Sequence, residues 1–507
     1  MNILFITADQ WRGDCLSAVG HPHLKTPNLD LLAADGLTFK RHYAQATPCG
    51  PSRACIYTGM YMHNHHSLRN GTPLDDRHTN VALETRKSGY KPALFGYTDV
   101  SLDPRQYSTE DYVVNTYESV LPGFEPVCHV NSIGKPWLAD LKAKGYQVPN
   151  HAQAMLKPRV HYAGAEAKGK TFAPARFKAE DSKAAFLVEE AIQYLSVRQD
   201  KPWFLHMSFL SPHPPYVVAE PFHDLYDANK LPLPVRQTSA EKEAALHPWL
   251  AHYINNQSGS PYTAGAHSAD HGSLSERELR QIKATYYGMI SEVDSQLGRL
   301  FDYLKQIDAY NNTLIIFTSD HGDMLGDHWM LSKSCFYEQA FHVPLIVRDP
   351  AAAANDTRGT QVEAFTENID IMPTILDSIG QAIPNQCDGY SLLPFSRAEQ
   401  PANWRQEYHA EFDLRSPYAY GLGLATPMGL DRHQCMVTII RGERYKYVHF
   451  AALPPLFFDL KDDPGEFINR YKDPNYQSIV LEYVNKMLNW RIKYDDVALT
   501  EFHLGTE

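Results

Sequence analysis

The sequence predicts an α/β fold, with a central, mostly parallel sheet flanked by helices and a smaller α+β unit at the C-terminal end. Three observations predict it. Short continuous apolar runs recur and end in polar, chemistry-bearing residues. Amphipathic helical segments lie between them. Beyond about residue 385 the pattern becomes strand-dense. The predicted organisation is therefore a catalytic α/β unit over residues 1–384 and a C-terminal subdomain over 385–507, with short antiparallel strands and a final helix.

The buried strands come first. Ile3-Leu4-Phe5-Ile6-Thr7 is followed by Asp9-Gln10, and Ala93-Leu94-Phe95-Gly96 by Tyr97-Thr98-Asp99. Trp203 to Phe209 leads into Ser211-Pro212-His213-Pro214-Pro215, and Leu314 to Thr318 into Ser319-Asp320-His321-Gly322. Strands that end in acids, histidine or glycine fit open α/β sheets, whose ligands sit beyond the carboxyl ends of the strands. Val343 to Val347 is a fifth candidate, its early Pro344 suited to a strand start. A helix is expected from Thr26-Pro27, with Gly36 as its C-terminal cap, and another from Asp181 to Ser196. Ser275-Glu276-Arg277-Glu278 has capping-box form and opens a long helix with an apolar face from Leu279 to Leu304. The stretch from about 215 to 275, rich in His, Pro, Ser and Gly, reads as an irregular excursion at the mouth of a site. The final helix presents Ile479, Leu481, Val484, Met487, Leu488 and Trp490 as its apolar residues.

Composition narrows the function classes. The chain has 507 residues, 43% apolar and 21% charged, the profile of a soluble globular protein with room for a large core. No run approaches the ~18 apolar residues of a membrane span, and the opening Met1-Asn2-Ile3-Leu4 lacks the basic n-region of a signal peptide. A cytoplasmic location is expected, with no membrane partner. The formal charge of -12 argues against a nucleic-acid partner. Homo-oligomerisation is left open. The seven cysteines include no CxxC pair, so neither a disulfide framework nor a zinc ribbon is indicated.

One cysteine stands apart. Residues 49 to 59 read C-x-P-S-R-x4-T-G. Pro51 suits the first turn of a helix, so Cys49 falls at a helix N-terminus, where the macrodipole and free N–H groups favour negative charge. Arg53 lies one turn later and can bring a guanidinium to the same place. Asp9, Asp320 and His321 make a mixed O/N donor set for one divalent cation, with an oxygen at position 49 completing it. The carboxylates suit calcium, and the imidazole shifts the balance toward manganese.

This eleven-residue pattern resembles the signature of the formylglycine-dependent sulfatase family in the alkaline phosphatase superfamily. The resemblance spans nearly the whole chain. It includes Thr26-Pro27-Asn28-Leu29-Asp30, Asp320-His321-Gly322 and the C-terminal Leu456-Phe457-Phe458-Asp459-Leu460 with Asp463-Pro464-Gly465-Glu466. Asp9-Gln10-Trp11-Arg12, Pro48-Cys49-Gly50-Pro51, Asn70 with Pro73-Leu74-Asp75, and Gly96-Tyr97-Thr98 are similar to the phosphonate monoester hydrolase and cytosolic arylsulfatase branch. The resemblance implies an alkaline-phosphatase-like fold and a sulfuric ester hydrolase. It also implies that a formylglycine-generating enzyme converts Cys49 to Cα-formylglycine. One hydroxyl of the hydrated aldehyde attacks sulfur or phosphorus in line, and the covalent hemiacetal then collapses by C–O cleavage. Arg53, His213 and Lys333 are implied as catalytic groups, and Asn70, Tyr97, Asp99 and Gln10 as substrate contacts, Gln10 also standing where many sulfatases carry a second metal-binding Asp.

Sulfate monoesters are the leading substrate class on this reading, with phosphonate monoesters and phosphodiesters the alternative. The chain departs from typical arylsulfatases at Tyr97-Thr98-Asp99, where they carry Lys-x-His, so Asp99 is either the base that deprotonates the hemiacetal or a turn residue. An unmodified cysteine hydrolase would keep activity after chelation. A binding protein with a decayed site would not retain Cys49, Arg53, Asp9, Asp320, His321 and Lys333 together. His63, His65 and His66 read as a polar strand end or pocket rim rather than a metal site.

Overall fold

The computed structural model describes residues 1–169, 171–198, 202–256, 274–399, 401–415 and 427–496. In chain order the strands are β1 (Asn2–Ala8), β2 (Leu37–Tyr43), β3 (Ala46–Thr47), β4 (Pro92–Gly96), β5 (Glu125–His129), β6 (Phe204–Phe209), β7 (Thr313–Thr318), β8 (Leu345–Arg348), β9 (Gln361–Glu367), β10 (Tyr408–Asp413), β11 (Met436–Arg441), β12 (Tyr445–Phe450) and β13 (Leu456–Asp459). The helices that matter here are α1 (Pro27–Ala34), α2 (Cys49–Thr58), α3 (Lys183–Ser196), α4 (Glu276–Gln306), α5 (Ile371–Ser378) and α6 (Gln477–Lys493).

Eight strands form the central sheet in the order β5-β4-β6-β1-β7-β8-β2-β9. It is mostly parallel, as expected. β8, the predicted fifth strand, is the exception and runs antiparallel to both β7 and β2. β1 lies in the middle, with Ile3 opposite Phe204 on one side and Leu314 on the other. Every residue of β1, β6 and β7 is buried, which is why their sequences are apolar throughout rather than alternating. Alternate side chains still serve different layers. Leu4 and Ile6 join the core beneath α3 and α4, with Val188, Ile290 and Val293. Ile3 and Phe5 join the opposite core, with Ile56 of α2 and Ile375 of α5. Each such side chain contributes roughly 1.5–3 kcal/mol by leaving water.

The long helix α4 is held at its start by the expected capping box, Ser275 and Glu278 bonding reciprocally. α3 begins at Lys183 on the side-chain cap of Ser182, two residues inside the predicted start. α1 ends on Asp35 rather than on Gly36. Gly36 has a different purpose, since a Cβ there would stand 2.6 Å from the Val347 carbonyl oxygen where the chain meets β8.

A second sheet of five strands, β13-β12-β11-β10-β3, makes the predicted C-terminal subdomain. It is not confined to the region beyond 385. β3, two residues just before Pro48-Cys49, pairs in parallel with Glu411 and Phe412 of β10 and ties the Cys49 segment to the C-terminal sheet. α6 covers this sheet with Val480, Tyr483, Met487 and Trp490. Leu481 and Leu488, predicted for the same face, are exposed instead. His63 and His65 lie buried on a short helical turn, Met62–His65, not at a strand end, and His66 is exposed. The excursion between 215 and 275 contains short helices at Ala240–Ala244 and Pro248–Asn256, and its residues 257–273 lie outside the described residues. Among the described residues no helix is long and apolar enough to cross a membrane.

Gly96 closes β4 at φ +112, and a Cβ there would sit 2.0 Å from the Ser208 carbonyl oxygen of β6. Both the backbone conformation and the space exclude a side chain. Gly96→Ala should therefore cost more than about 3 kcal/mol in unfolding experiments. Unchanged denaturant stability would contradict the close strand approach.

Candidate active site

The central strands deliver the site. Asp9 follows β1 and Asp320 follows β7, its direct neighbour, so two acids remote in sequence end side by side. Helix α2 approaches the same place with Cys49 as its first residue. One ligand atom each from Asp9, Cys49, Asp320 and His321 lies within 4.8 Å of the others. His321 Nε2 is 3.2 Å from Cys49 Sγ and 3.8 Å from both Asp9 Oδ1 and Asp320 Oδ2. Its Nδ1 faces the Gly322 carbonyl at 3.0 Å, which places the ring proton there and leaves the Nε2 lone pair facing the acids.

Arg53 is completely buried behind this cluster. Its Nε donates to Asp320 Oδ2 at 2.9 Å, one terminal nitrogen to Asp9 Oδ2 at 3.2 Å and the other to Ser208 Oγ at 2.9 Å. Its guanidinium also stacks on the Tyr97 ring, 4.5 Å from the centroid. Arg53 thus orients the two acids. Burial is the largest influence on Asp320 and would raise its pKa, but the fields of His321 and Arg53 and the Gln10 N–H hold it below the usual carboxylate range. Asp9 moves the other way, raised by burial and then by Asp320 beside it. Burial, then Asp9, pushes the Cys49 thiol well above its ordinary value, and burial draws His321 down to about 4. Two acids, an unprotonated imidazole nitrogen and a fourth donor position, with one guanidinium to offset them, are the chemistry of a divalent cation site. The residues fit such an ion.

The remaining predicted residues surround this cluster. Lys333 is buried, and its Nζ donates to Gln10 Oε1 at 2.6 Å. The Gln10 backbone N–H donates to Asp320 Oδ1 at 3.0 Å, and its side-chain Nε2 to Asp323 Oδ2 at 2.5 Å. His213 is half-buried, its Nδ1 committed to the Pro214 carbonyl at 2.6 Å. Burial and then Lys333 lower its pKa to about 3, so the imidazole is neutral. The Tyr97 hydroxyl donates to Asp9 Oδ2 at 2.6 Å, which makes Tyr97 a partner of an acid of the cluster. Asn70 caps α2, accepting the Gly50 N–H at 2.8 Å. Asp99 is buried at φ +55 just beyond β4, and burial raises its carboxyl well above the usual range despite Arg53. Sequence reasoning missed Asp323, Ser208 and Ser52, whose hydroxyl donates to the Asp320 carbonyl at 2.5 Å. Asp323 stands two residues after His321, and that proximity was the available signal. A cavity of about 720 Å³ lined by Tyr162 and Arg277 touches none of these residues, so cavity size does not locate the chemistry.

The sulfatase family model matches residues 1–381, and a model described as N-sulphoglucosamine sulphohydrolase, C-terminal, matches residues 326–493. The chain belongs to the sulfatase family. Within the alkaline phosphatase superfamily, the multifunctional protein PehA of Trinickia caryophylli is 42% identical over 506 residues, covering 99% of this chain and 97% of its own. An arylsulfatase of Clostridium perfringens is 28% identical over 96% of this chain and 93% of its own. The crystal structure of the phosphonate monoester hydrolase of Agrobacterium radiobacter superposes with a TM-score of 0.93 at 42% identity, covering 99% of this chain and 98% of that one. These likenesses support hydrolysis of sulfate or phosphonate esters for this sulfatase-family enzyme.

Replacing Asp320 by Asn removes one donor's charge and leaves Arg53 partly uncompensated. Metal content, measured by elemental mass spectrometry on dialysed protein, should fall from about one ion per chain to well below it. Full occupancy in an Asp9→Asn, Asp320→Asn double variant would contradict the assignment of the site.

Proposed function

We propose that this enzyme hydrolyses singly charged phosphonate monoesters and phosphodiesters, and takes sulfate monoesters at the same site. The observation that carries the reading is the buried Asp9, Cys49, Asp320 and His321 cluster, backed by Arg53 and flanked by Lys333 and His213. Likeness to a phosphonate monoester hydrolase over the whole chain at 42% identity favours the phosphorus substrates over the sulfate esters that the motif alone puts first.

Asp9, Asp320, His321 and the side chain at position 49 would hold one divalent cation, calcium or manganese. Cys49 converted to Cα-formylglycine by a modifying enzyme would supply the nucleophilic oxygen, and the ion would supply Lewis acidity at neutral pH. The chain's own residues do the rest. Arg53 fixes both acids from behind, so their outward lone pairs need no reorganisation during reaction. Position 49 is the first residue of α2, where the helix dipole favours negative charge. Lys333 brings a proton and a positive charge to the transferring group and the leaving oxygen. The neutral His213, its Nδ1 proton given to Pro214, has Nε2 left to accept a proton rather than donate one. The acid function therefore falls to Lys333.

Tyr97 and Asp99 bring no cation from the end of β4, and the Arg53 guanidinium against Tyr97 is committed to Asp9 and Asp320. Substrates with one negative charge are served by Lys333 and the metal site, whereas a second charge finds no partner of its own. At an effective dielectric of about 20, a unit-charge pair ~4 Å apart is worth several kcal/mol. Matched aryl esters compared by kcat/KM should therefore place the phosphate monoester last. A phosphate monoester hydrolysed faster than the matched phosphonate and sulfate would sink the charge argument.

Two further outcomes test the chemistry. Peptide mass spectrometry of active enzyme should find the Cys49 peptide lighter by about 18 Da. Full specific activity with wholly unmodified Cys49 would end the formylglycine reading. Lys333→Ala should lose about 10²–10⁴ in rate on poor leaving groups and much less on activated aryl ones, while His213→Ala should lose equally across the series. A uniform loss for Lys333→Ala would contradict its role as the acid.

A further inference from the structure

The groups on either side of the substrate position are tied to one carboxylate outside the metal cluster. Asp323 is completely buried. Its Oδ2 accepts from Gln10 Nε2 at 2.5 Å and from the Tyr216 hydroxyl at 2.6 Å, and its Oδ1 accepts from the Leu325 N–H at 2.9 Å. Gln10 carries the connection onward, since its Oε1 accepts from Lys333 Nζ at 2.6 Å. The Gln10 backbone is pinned independently, its N–H on Asp320 and its carbonyl on the Tyr286 hydroxyl at 2.7 Å, so its side chain works from a fixed root. Tyr216 stands three residues after His213, on the chain that carries the histidine.

We propose that Asp323 is a positioning residue, which sets the orientation of the Gln10 amide and through it the place of the Lys333 ammonium. The physical reason is the asymmetry of an amide. A primary amide has a donor end and an acceptor end, and the two can exchange by a flip. A carboxylate that only accepts compels Gln10 to present its NH2 group to Asp323, which turns the carbonyl oxygen toward Lys333. The negative charge of Asp323 also lies one residue behind the ammonium and offsets part of its burial. Through Tyr216 the same carboxylate anchors the His213 segment, so the two flanking groups share one reference point.

The inference rests on the role given above to Lys333, and the test separates the two. Asp323→Asn keeps one acceptor oxygen, which the Leu325 N–H claims, and puts a donor where Gln10 needs an acceptor. The Gln10 amide then flips and turns its NH2 group on the Lys333 ammonium. On a phosphonate monoester with a poor leaving group, kcat/KM should drop about 10- to 100-fold, the cost of losing a hydrogen bond to a charged group, with metal content unchanged. Adding Gln10→Glu to Asp323→Asn supplies a carboxylate that accepts from both the new amide and Lys333. That double variant should recover most of the loss, which a purely structural role for Asp323 does not predict. Gln10→Met cuts the link from the other side and should reproduce the drop, so a folding failure of Asp323→Asn does not decide the matter. The proposal is overturned if Asp323→Asn or Gln10→Met keeps full kcat/KM while Lys333→Ala loses it, or if the double variant folds, holds its metal and does not recover. Full rate in Lys333→Ala would instead overturn the reading of Lys333 itself.

Discussion

A guanidinium sealed between two carboxylates governs the architecture of this site. Arg53, Asp9 and Asp320 have almost no contact with water, and ions in such a place are tolerated only when they satisfy one another. Arg53 does so by spending five nitrogen–oxygen contacts on Asp320, Asp9, Ser208 and Tyr97. Removing one partner from a buried network of this kind costs about 3–5 kcal/mol, because the others are left charged and unpaired. The arginine of the C-x-P-S-R pattern therefore acts on Asp9 and Asp320, and its influence on position 49 passes through them.

The sheet makes that arrangement possible. β1 and β7 are adjacent and parallel, so Asp9 and Asp320 leave at the same edge, and β6 and β4 bring Ser208 and Tyr97 to the same level. α2 then enters from above with its N-terminus first, anchored by β3 in the second sheet. The C-terminal subdomain is thereby part of the site's foundation, because the residues immediately before Cys49 form one of its strands. Around the cation position lies a ring of neutral or singly committed groups, Gln10, Tyr97, Asn70 and His213, each already bound to a protein atom. Such prior commitment is how a site avoids reorganisation when charge develops.

The strand ends, the helix that begins at Cys49 and the meeting of Asp9, Asp320 and His321 were legible in the sequence, because each leaves a local mark: an apolar run, a proline in the first turn, an acid followed by histidine and glycine. What was not legible depends on distance in space. A two-residue strand such as β3 has no period to detect. Leu481 and Leu488 fit the helical period of α6 as well as Val480 and Met487 do, and the packing of the sheet chose between the two faces. That Asn70 accepts the Gly50 N–H of α2 could not be read from its position, and Gly36 looked like a helix cap and makes room for β8. Asp323 belongs to the same class, since its meaning lies in Gln10 and Tyr216, both far from it along the chain.

The central claim is that the acids held by Arg53 are arranged for one divalent cation at the nucleophile. Anomalous diffraction from crystals of active enzyme grown with manganese tests it most directly. The account predicts a single strong peak about 2.0–2.6 Å from oxygens of Asp9 and Asp320, from His321 Nε2 and from an oxygen of the residue at position 49, with Arg53 still bridging the two acids. A fully active crystal with no peak there, or with its ion bound away from position 49, would contradict it.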